Sequence, residues 1–418
     1  MKKNIWIMNH YAGETFFDQG GRHYWLAKYL CLTGYSPIIF CANSQHGVPE
    51  RYWNTDSLWT EKVEPSISVP YVFVRARTYM GNGKQRILNM IDFYRNIKKS
   101  AKQYAAQHGA PDVIYASSVH PLTLVAGIKL AKQFGVKCVC EVRDLWPESL
   151  IAYGIAGPHN PAVLWLRRLE KWIYTKADAV VFTAEGSYDY IKEQHWEKEV
   201  PQSKVFYINN GVDLELFDYN KEHFRVEDKD LDDPDIFNVV YTGSIRQVNN
   251  LGLLLDAAKA VKDPRVRFLI WGDGDERPML EQRVKDENIG NVVFKGWVEK
   301  KFVPSIVSRA DVNYIDPFSD SVSKYGISSN KLFEYFAAGK PILVQARERY
   351  NPVKTYHAGI CLHSLTATDL AAQIDAFAQM DEAGYQGYCV GASAAAKEFD
   401  FKKLTDTLMN VIEGTAKG

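Results

Sequence analysis

The sequence predicts an α/β protein of two domains, each a parallel β-sheet covered by helices on both faces. Three observations carry this. The chain has 418 residues with 46% hydrophobic content, enough for two domains of about 200 residues that each bury a full core. Short β-branched and aromatic runs alternate with helical patterns in both halves, and near-continuous apolar strands alternating with helices mean a parallel sheet buried on both sides. An acidic, polar stretch with little periodicity separates the two halves.

Taken in order, "MKKNIWIMNHYAGE" begins with the basic residues of a signal peptide, but its apolar run stops at Met8. That is too short for an h-region, so it reads as a first strand. "PIIFCA", "YVFV", "DVIYAS", "KCVCEV", "DAVVFTA" and "KVFYIN" follow as strands, interleaved with helical patterns such as "RHYWLAKYLCLTG" and "PLTLVAGIKLAKQFG". Gly34 and Gly135 stand where helices end in a left-handed residue. The second half repeats the pattern: "FNVVYTG", "VRFLIWGDG", "NVVFKG", "DVNYI" and "PILVQA" alternate with "NLGLLLDAAKAV", "RPMLEQRVKDEN" and "SNKLFEYFAAG". Two Rossmann-like domains follow, 1–210 and 211–399, with the polar run "NNGVDLELFDYNKEHFRVEDKDLDDPD" at the boundary. The last segment, 400–418, contains an amphipathic helix able to pack back on the first domain.

Fifty basic and fifty acidic residues give a formal net charge of zero, so nothing global points to nucleic acid. Six cysteines include no CxxC pair, and Cys138 and Cys140 alternate onto one face of a strand; buried, reduced thiols of a cytoplasmic protein are the simplest account. No apolar stretch approaches the roughly 18 residues of a membrane span, so membrane contact is expected to be peripheral, on the inner face of the plasma membrane.

Ligands of open parallel sheets sit beyond the carboxyl ends of the strands. There, Gly243 follows "VVYT", Gly272 and Gly274 follow "FLIW", Gly296 follows "VVFK", and the Tyr325–Asn330 loop introduces a short helix carrying Lys331 and Glu334. Glycine lets backbone N–H groups approach a ligand, and a helix N-terminus favours phosphate. Lys331 adds a charge near that phosphate, and Glu334 one turn deeper accepts hydrogen bonds from neighbouring hydroxyls such as those of a ribose. The pair suits a nucleoside diphosphate, although a Lys and a Glu three residues apart also form ordinary solvated helix contacts, and glycines also simply end strands.

At these residues the chain resembles the GT-B glycosyltransferases of family 4, and within them the bacterial fucosamine-transferase-like subgroup of surface polysaccharide synthesis. The matching stretches are "GGRHYWLAKYL", "VRDLWPESL", "NNGVDLELF", "YTGSIRQVNNLGLLLDAA", "WGDGDER", "KGWV" and "SNKLFEYFAAGKPIL". The resemblance implies two Rossmann-like domains with parallel sheets facing across a cleft. It implies a nucleotide-sugar donor, UDP-linked in the favoured reading, on the second domain, an acceptor mainly on the first, and hexosyl-type transfer with retention and no bound metal or other cofactor. The implied donor contacts are Gly20, Gly21, Gly243, Ser244, Arg246, Gly272, Gly274, Val298, Gly326, Ile327, Asn330, Lys331 and Glu334. Many family members have an Arg and a Lys where this chain has Ser244 and Asn249, and a sugar-binding Glu where it has Gly326; Arg246 and Lys331 are the candidates for the missing charge.

The implied chemistry involves Asp144, which ends the "KCVCEV" strand and is placed to accept a proton from the acceptor hydroxyl or to orient it; an ion pair with Arg143 is the structural alternative, and Glu148 is a weaker competitor for the role. His120 matches a histidine near the transferred sugar, or caps the helix that begins at Pro121. Departure of the nucleotide diphosphate is the demanding step, which positive charge and helix N–H groups stabilise. Basic, aromatic segments at Arg75 to Lys102 and Trp165 to Lys176 suit an anionic membrane surface, and a polyprenyl-diphosphate-linked oligosaccharide of O-antigen or capsule synthesis is the natural acceptor there; solvated basic faces are the alternative. Two other readings remain: a GT-B sugar-nucleotide epimerase, and a catalytically silent nucleotide-binding partner subunit. A dinucleotide-dependent dehydrogenase is disfavoured because neither half shows GxGxxG after its first strand.

Overall fold

The computed structural model describes residues 2–316, 322–345, 349–362 and 366–415. The chain divides into two compact units, Met1–Asn209 with Leu404–Gly418, and Asn210–Lys403.

The first unit is built on a sheet of strands β1 (Lys3–Met8), β2 (Tyr35–Ala42), β3 (Trp59–Glu64), β4 (Val69–Val74), β5 (Val113–Ser117), β6 (Lys137–Val142), β7 (Ala179–Phe182) and β8 (Val205–Tyr207), in the order β3-β4-β2-β1-β5-β6-β7-β8. All neighbours are parallel except β3, which runs antiparallel to β4 at the edge. The expected all-parallel sheet is corrected there: "WTEKVE" is mostly polar because an edge strand needs only one apolar face, so it carries no continuous apolar run. Central strands are buried on both sides, with Ile5, Trp6, Ile7 and Met8 all fully enclosed. The helix Pro121–Phe134 lies so close to β5 that a Cβ added to Gly127 would sit 2.5 Å from the Ala116 Cβ.

The second unit has strands β9 (Phe237–Thr242), β10 (Val266–Trp271), β11 (Val292–Gly296), β12 (Val312–Ile315), β13 (Ile342–Gln345) and β14 (Gly359–Leu362), all parallel, ordered β11-β10-β9-β12-β13-β14. The short strand β14 has no counterpart in the sequence-based expectation.

The acidic stretch taken as the boundary begins where the chain divides, at Asn209/Asn210, and carries structure of its own. It opens with a helix at Leu214–His223, capped by Asp213 on the Leu216 amide. Beyond that helix, Asp228 and Asp230 receive the Lys295 ammonium at 2.7 and 2.5 Å, and Asp232 receives Arg309 at 2.8 Å. Leu231 packs with Val240, Leu269 and Trp271. The stretch folds onto the second unit because its countercharges come from distant parts of the chain.

The closing helix, Phe401–Glu413, ends with Glu413 ion-paired to Lys3 at 2.7 Å and hydrogen-bonded by the Tyr35 hydroxyl at 2.5 Å. Those contacts tie its C-terminal turn to the start of β1 and β2.

Candidate functional site

In the second unit, the loops after β9, β10, β11 and β12 share the carboxyl edge. The loop after β9 is held from beneath by three side chains. The Tyr241 hydroxyl donates to the Ser244 carbonyl at 2.7 Å, and the Asn249 amide donates to that carbonyl at 2.9 Å and to the Ser244 Oγ at 3.1 Å. Lys331 completes the arrangement: its Nζ donates to the Asn249 Oδ1 at 2.7 Å and the Tyr241 hydroxyl at 3.0 Å, and its stem occupies the space beside Gly243. Lys331 is therefore turned toward the Gly243–Ser244 loop and not splayed over the helix surface. Burial lowers its pKa to about 8, with Glu334 pulling the other way. Glu334 is pushed above the ordinary glutamate value by burial, and its nearest cation is Lys300 at 3.9 Å.

Asn249, first read as the loss of a family lysine, is in the structure the acceptor that holds the Lys331 ammonium. Arg246 is exposed and leads into the 3-10 turn Gln247–Asn249. The helix Asn330–Ala337 starts after Ser329, whose side chain makes no capping hydrogen bond. Asn330 is exposed, Ile327 is buried, Gly326 adopts φ +138°, and Val298 is half-buried against the Leu231 cluster. The Asn210 side chain donates to the Ser328 carbonyl at 3.0 Å, so the "NNGV" turn steadies the loop before Lys331.

Gly272 and Gly274 have a reason that the sequence reading did not contain. A Cβ at Gly272 would stand 1.7 Å from the Gly243 carbonyl oxygen, and one at Gly274 would stand 2.1 Å from the Ile245 carbonyl oxygen. The backbones of the two loops are also hydrogen-bonded, Gly243 N–H to the Trp271 carbonyl at 3.0 Å and Ile245 N–H to the Asp273 carbonyl at 2.9 Å. These glycines are required by the neighbouring loop, whatever ligand the loops face.

In the first unit, Gly21 has φ +92° and forms the N-cap of the helix Arg22–Leu32, while Gly20 before it is half-buried. The next residue, Arg22, is buried on Glu141 at 2.6 Å and also donates to the Asn209 and Ile208 carbonyls at 2.5 and 2.9 Å. The arginines Arg22 and Arg143, with His23, hold Glu141 well below the usual carboxylate range against its burial. This pair stitches β6 to the end of β8, a structural role.

His120 stands at the N-cap position of the Pro121–Phe134 helix but makes no capping hydrogen bond. Its ring is enclosed, with Nε2 2.8 Å from the His10 Nδ1. Burial pushes His120 down to about 3 and His10 well below the ordinary histidine value, so both rings are neutral near pH 7. Among the described residues the outer nitrogens, His10 Nε2 and His120 Nδ1, have no hydrogen-bond partner within 3.5 Å, although the Asn89 side chain lies near enough to His10 to oppose the effect of burial. Sequence reading missed His10, although the carboxyl-end rule points to it, since it follows β1 directly. Asp144 is solvent-accessible at the mouth of a small recess that it lines with Ser118, Trp146, Glu170 and Tyr174. The recess raises its carboxyl above the ordinary aspartate value, with Arg143 and Arg86 opposing. No ion pair within 4.0 Å joins it to Arg143 among the described residues, and Glu148 is taken up by Arg167.

Among the described residues no three His, Cys, Asp or Glu side chains cluster as metal ligands, and no helix is long and apolar enough to cross a membrane.

A family model described as Glycosyltransferase Family 4 matches residues 24–216, and one described as glycosyl transferases group 1 matches residues 236–379. "Probable glycosyltransferase WbjE" of Pseudomonas aeruginosa is 25% identical over 236 residues, 56% of this chain and 56% of that protein. The matched region spans about half the length of the curated relatives. Among solved structures, the Escherichia coli trehalose-6-phosphate protein bound with UDP-2-fluoro glucose has a TM-score of 0.72 at 10% identity, over 100% of both chains. Anabaena HepE in complex with UDP has a TM-score of 0.64 at 14% identity, over 99% of this chain and 100% of that one. By fold the chain is a GT-B protein. The family 4 match lies in the first half of the chain and the group 1 match in the second.

Proposed function

We propose that the protein is a retaining glycosyltransferase that moves a sugar from a UDP-linked donor to a lipid-linked oligosaccharide of bacterial surface polysaccharide synthesis. The observation that carries this is Lys331, an ammonium held by Asn249 and Tyr241 against the Gly243–Ser244 loop at a strand carboxyl edge. In this reading Lys331, Arg246 and the first N–H groups of the Asn330–Ala337 helix stabilise the diphosphate as the bond from sugar to phosphate oxygen breaks. Glu334 accepts from the ribose hydroxyls, and Gly20 and Gly21 are kept as candidate donor contacts. The acceptor oxygen bonds to the anomeric carbon, and its proton passes to Asp144 or to the departing phosphate. The side chains of Asp144, His10 and His120 lie on the first unit, where the acceptor is assigned.

Support for the UDP donor comes from HepE and the E. coli protein, which were solved with UDP and a UDP-sugar analogue. Resemblance of the motif stretches to the fucosamine-transferase-like subgroup directs the sugar search toward N-acetylated and deoxy donors. Peripheral membrane contact is assigned to Arg75 to Lys102 and Trp165 to Lys176. Each segment has core residues, Phe93 and Ile97 in the first and Ile173 and Tyr174 in the second, and each leaves large apolar side chains exposed, Met80 and Ile87 in the first and Trp165 in the second.

The test is calorimetric titration with UDP, GDP, ADP and dTDP, without metal and then with magnesium, followed by transfer assays on UDP-sugars with and without acceptor. Metal-independent binding of UDP and acceptor-dependent turnover are expected. Conversion of the sugar without acceptor would indicate an epimerase, and binding without turnover of any donor a silent subunit.

A further inference from the structure

We infer that Asn89 and His10 are positioning residues. Together they fix the His120 ring with Nε2 protonated and Nδ1 bare, so that Nδ1 accepts from a hydroxyl or amide N–H of the transferred sugar. The sugar contact rests on the transferase reading; the ring polarity does not.

The chain of contacts starts at Asn89, on the long helix Lys84–His108. Its Nδ2 donates to the Ser44 Oγ at 3.0 Å and to the Arg77 carbonyl at 2.5 Å. A carbonyl only accepts, so the amide nitrogen is fixed on that side and Oδ1 on the other. That Oδ1 is buried and has no partner within 3.5 Å among the described residues. The Asn89 side chain favours the protonated form of His10, which an acceptor beside a ring N–H does and a donor does not. The atom it addresses is Nε2, because the His10 Nδ1 is taken by the His120 Nε2 at 2.8 Å.

Polarity then propagates from one ring to the next. Burial keeps both histidines neutral near pH 7, so each carries a single ring hydrogen. With that hydrogen on Nε2, His10 has a bare Nδ1, and only an Nε2–H on His120 can complete the contact between them. The reverse assignment would set the His10 Nε2 lone pair against the Asn89 oxygen. His10 is also held in place by packing on Tyr11 and Phe93, whose ring centroids lie 4.5 and 4.4 Å away.

His120 is left with its lone pair on Nδ1. The residue stands at the N-cap position of the Pro121–Phe134 helix, yet its side chain takes no helix N–H, and Nδ1 has no other partner within 3.5 Å among the described residues. A buried acceptor without a donor is costly, and a ligand that brings a donor removes the cost. A sugar hydroxyl or amide N–H is such a donor; a carbonyl or an ionised phosphate oxygen is not. His10 and His120 follow β1 and β5, adjacent strands whose carboxyl ends are where ligands of parallel sheets bind.

The test is nitrogen NMR of the full chain labelled with 15N in histidine, at pH 7 and without ligand. His120 is expected to show a protonated Nε2 and a bare Nδ1, and His10 the same. His10→Asn, whose side-chain oxygen can stand in for Nδ1, should keep that state, whereas His10→Phe and Asn89→Leu should move His120 toward the other tautomer. With the UDP-sugar that the transfer assays identify, His10→Phe and Asn89→Leu should each lower kcat about tenfold, as loss of one oriented hydrogen bond does. UDP affinity should be unchanged, and His10→Asn should recover most of the rate. A bare Nε2 on the wild-type His120 overturns the proposal, as does wild-type turnover in both His10→Phe and Asn89→Leu. If the expected tautomer is found but no UDP-sugar turns over, the transferase reading and the sugar contact fail while the ring polarity stands.

Discussion

The Lys331 ammonium lies 2.7 Å from the Asn249 carboxamide oxygen and 3.0 Å from the Tyr241 hydroxyl, two neutral acceptors that hold a cation without cancelling it. Burial brings its pKa to about 8, below the unfolded value of about 10.4. The unfolded chain therefore binds more protons than the folded one between those values, and this group's contribution to stability rises with pH across that window.

A bound diphosphate would raise that pKa again. At pH 8.5, UDP binding should take up part of a proton, read as a binding enthalpy that differs between buffers of different ionisation heat; at pH 6.5 the uptake should vanish. Lys331→Ala should weaken UDP about tenfold or more, as loss of a charge-assisted contact does, while leaving the melting temperature nearly unchanged. Buffer-independent enthalpy at pH 8.5 would separate Lys331 from the phosphates.

The close approach of the β9 and β10 loops makes Gly274→Ala costly. Its Cβ would meet the Ile245 carbonyl at 2.1 Å, and overpacking against backbone should destabilise by about 3 kcal/mol, roughly 6–12 °C for a domain of this size. Gly83→Ala, with nothing within 4 Å of the new Cβ, is the control and should melt with the wild type.

As the proposed base, Asp144 should give an acid limb. Its carboxyl is raised above the ordinary value, and a general base must be ionised, so transfer should fall as pH drops through that raised value. Asp144→Asn should lower turnover by about 10²- to 10⁴-fold with UDP affinity kept. Full activity in the Asn variant would leave Asp144 an orienting group at most.

Glu170 is buried and accepts from the Tyr174 and Tyr190 hydroxyls, each at 2.6 Å. Burial raises it to about 8, so the folded protein keeps a proton that the unfolded chain loses at about 4.3, and stability should fall between those pH values. Glu170→Gln removes the slope. The variant should melt several degrees above the wild type at pH 8.5 and close to it at pH 5, as followed by calorimetry.

The strands that sequence made legible are those buried on both faces, from "IWIM" to "PILVQA", because continuous apolar runs have few other uses. Edge strand β3 and short β14 lack that signature. Lys331, Glu334 and Asp144 were readable as strand-end residues. The partners that define their surroundings, Asn249 for Lys331 and His10 for His120, lie 82 and 110 residues away, and only folding brings them close. The packing of the acidic run was hidden for the same reason, since Lys295 sits 67 residues beyond Asp228.

The Gly272 and Gly274 contacts have a mechanical corollary. Two strand-end loops whose backbones touch without intervening side chains cannot shift independently, so this rim behaves as one stiff plate. A ligand landing on it meets peptide N–H groups already fixed by the folding of the domain, and little further ordering entropy opposes capture. Substitutions that separate the loops should therefore slow ligand capture and lower affinity even where no ligand contact is lost.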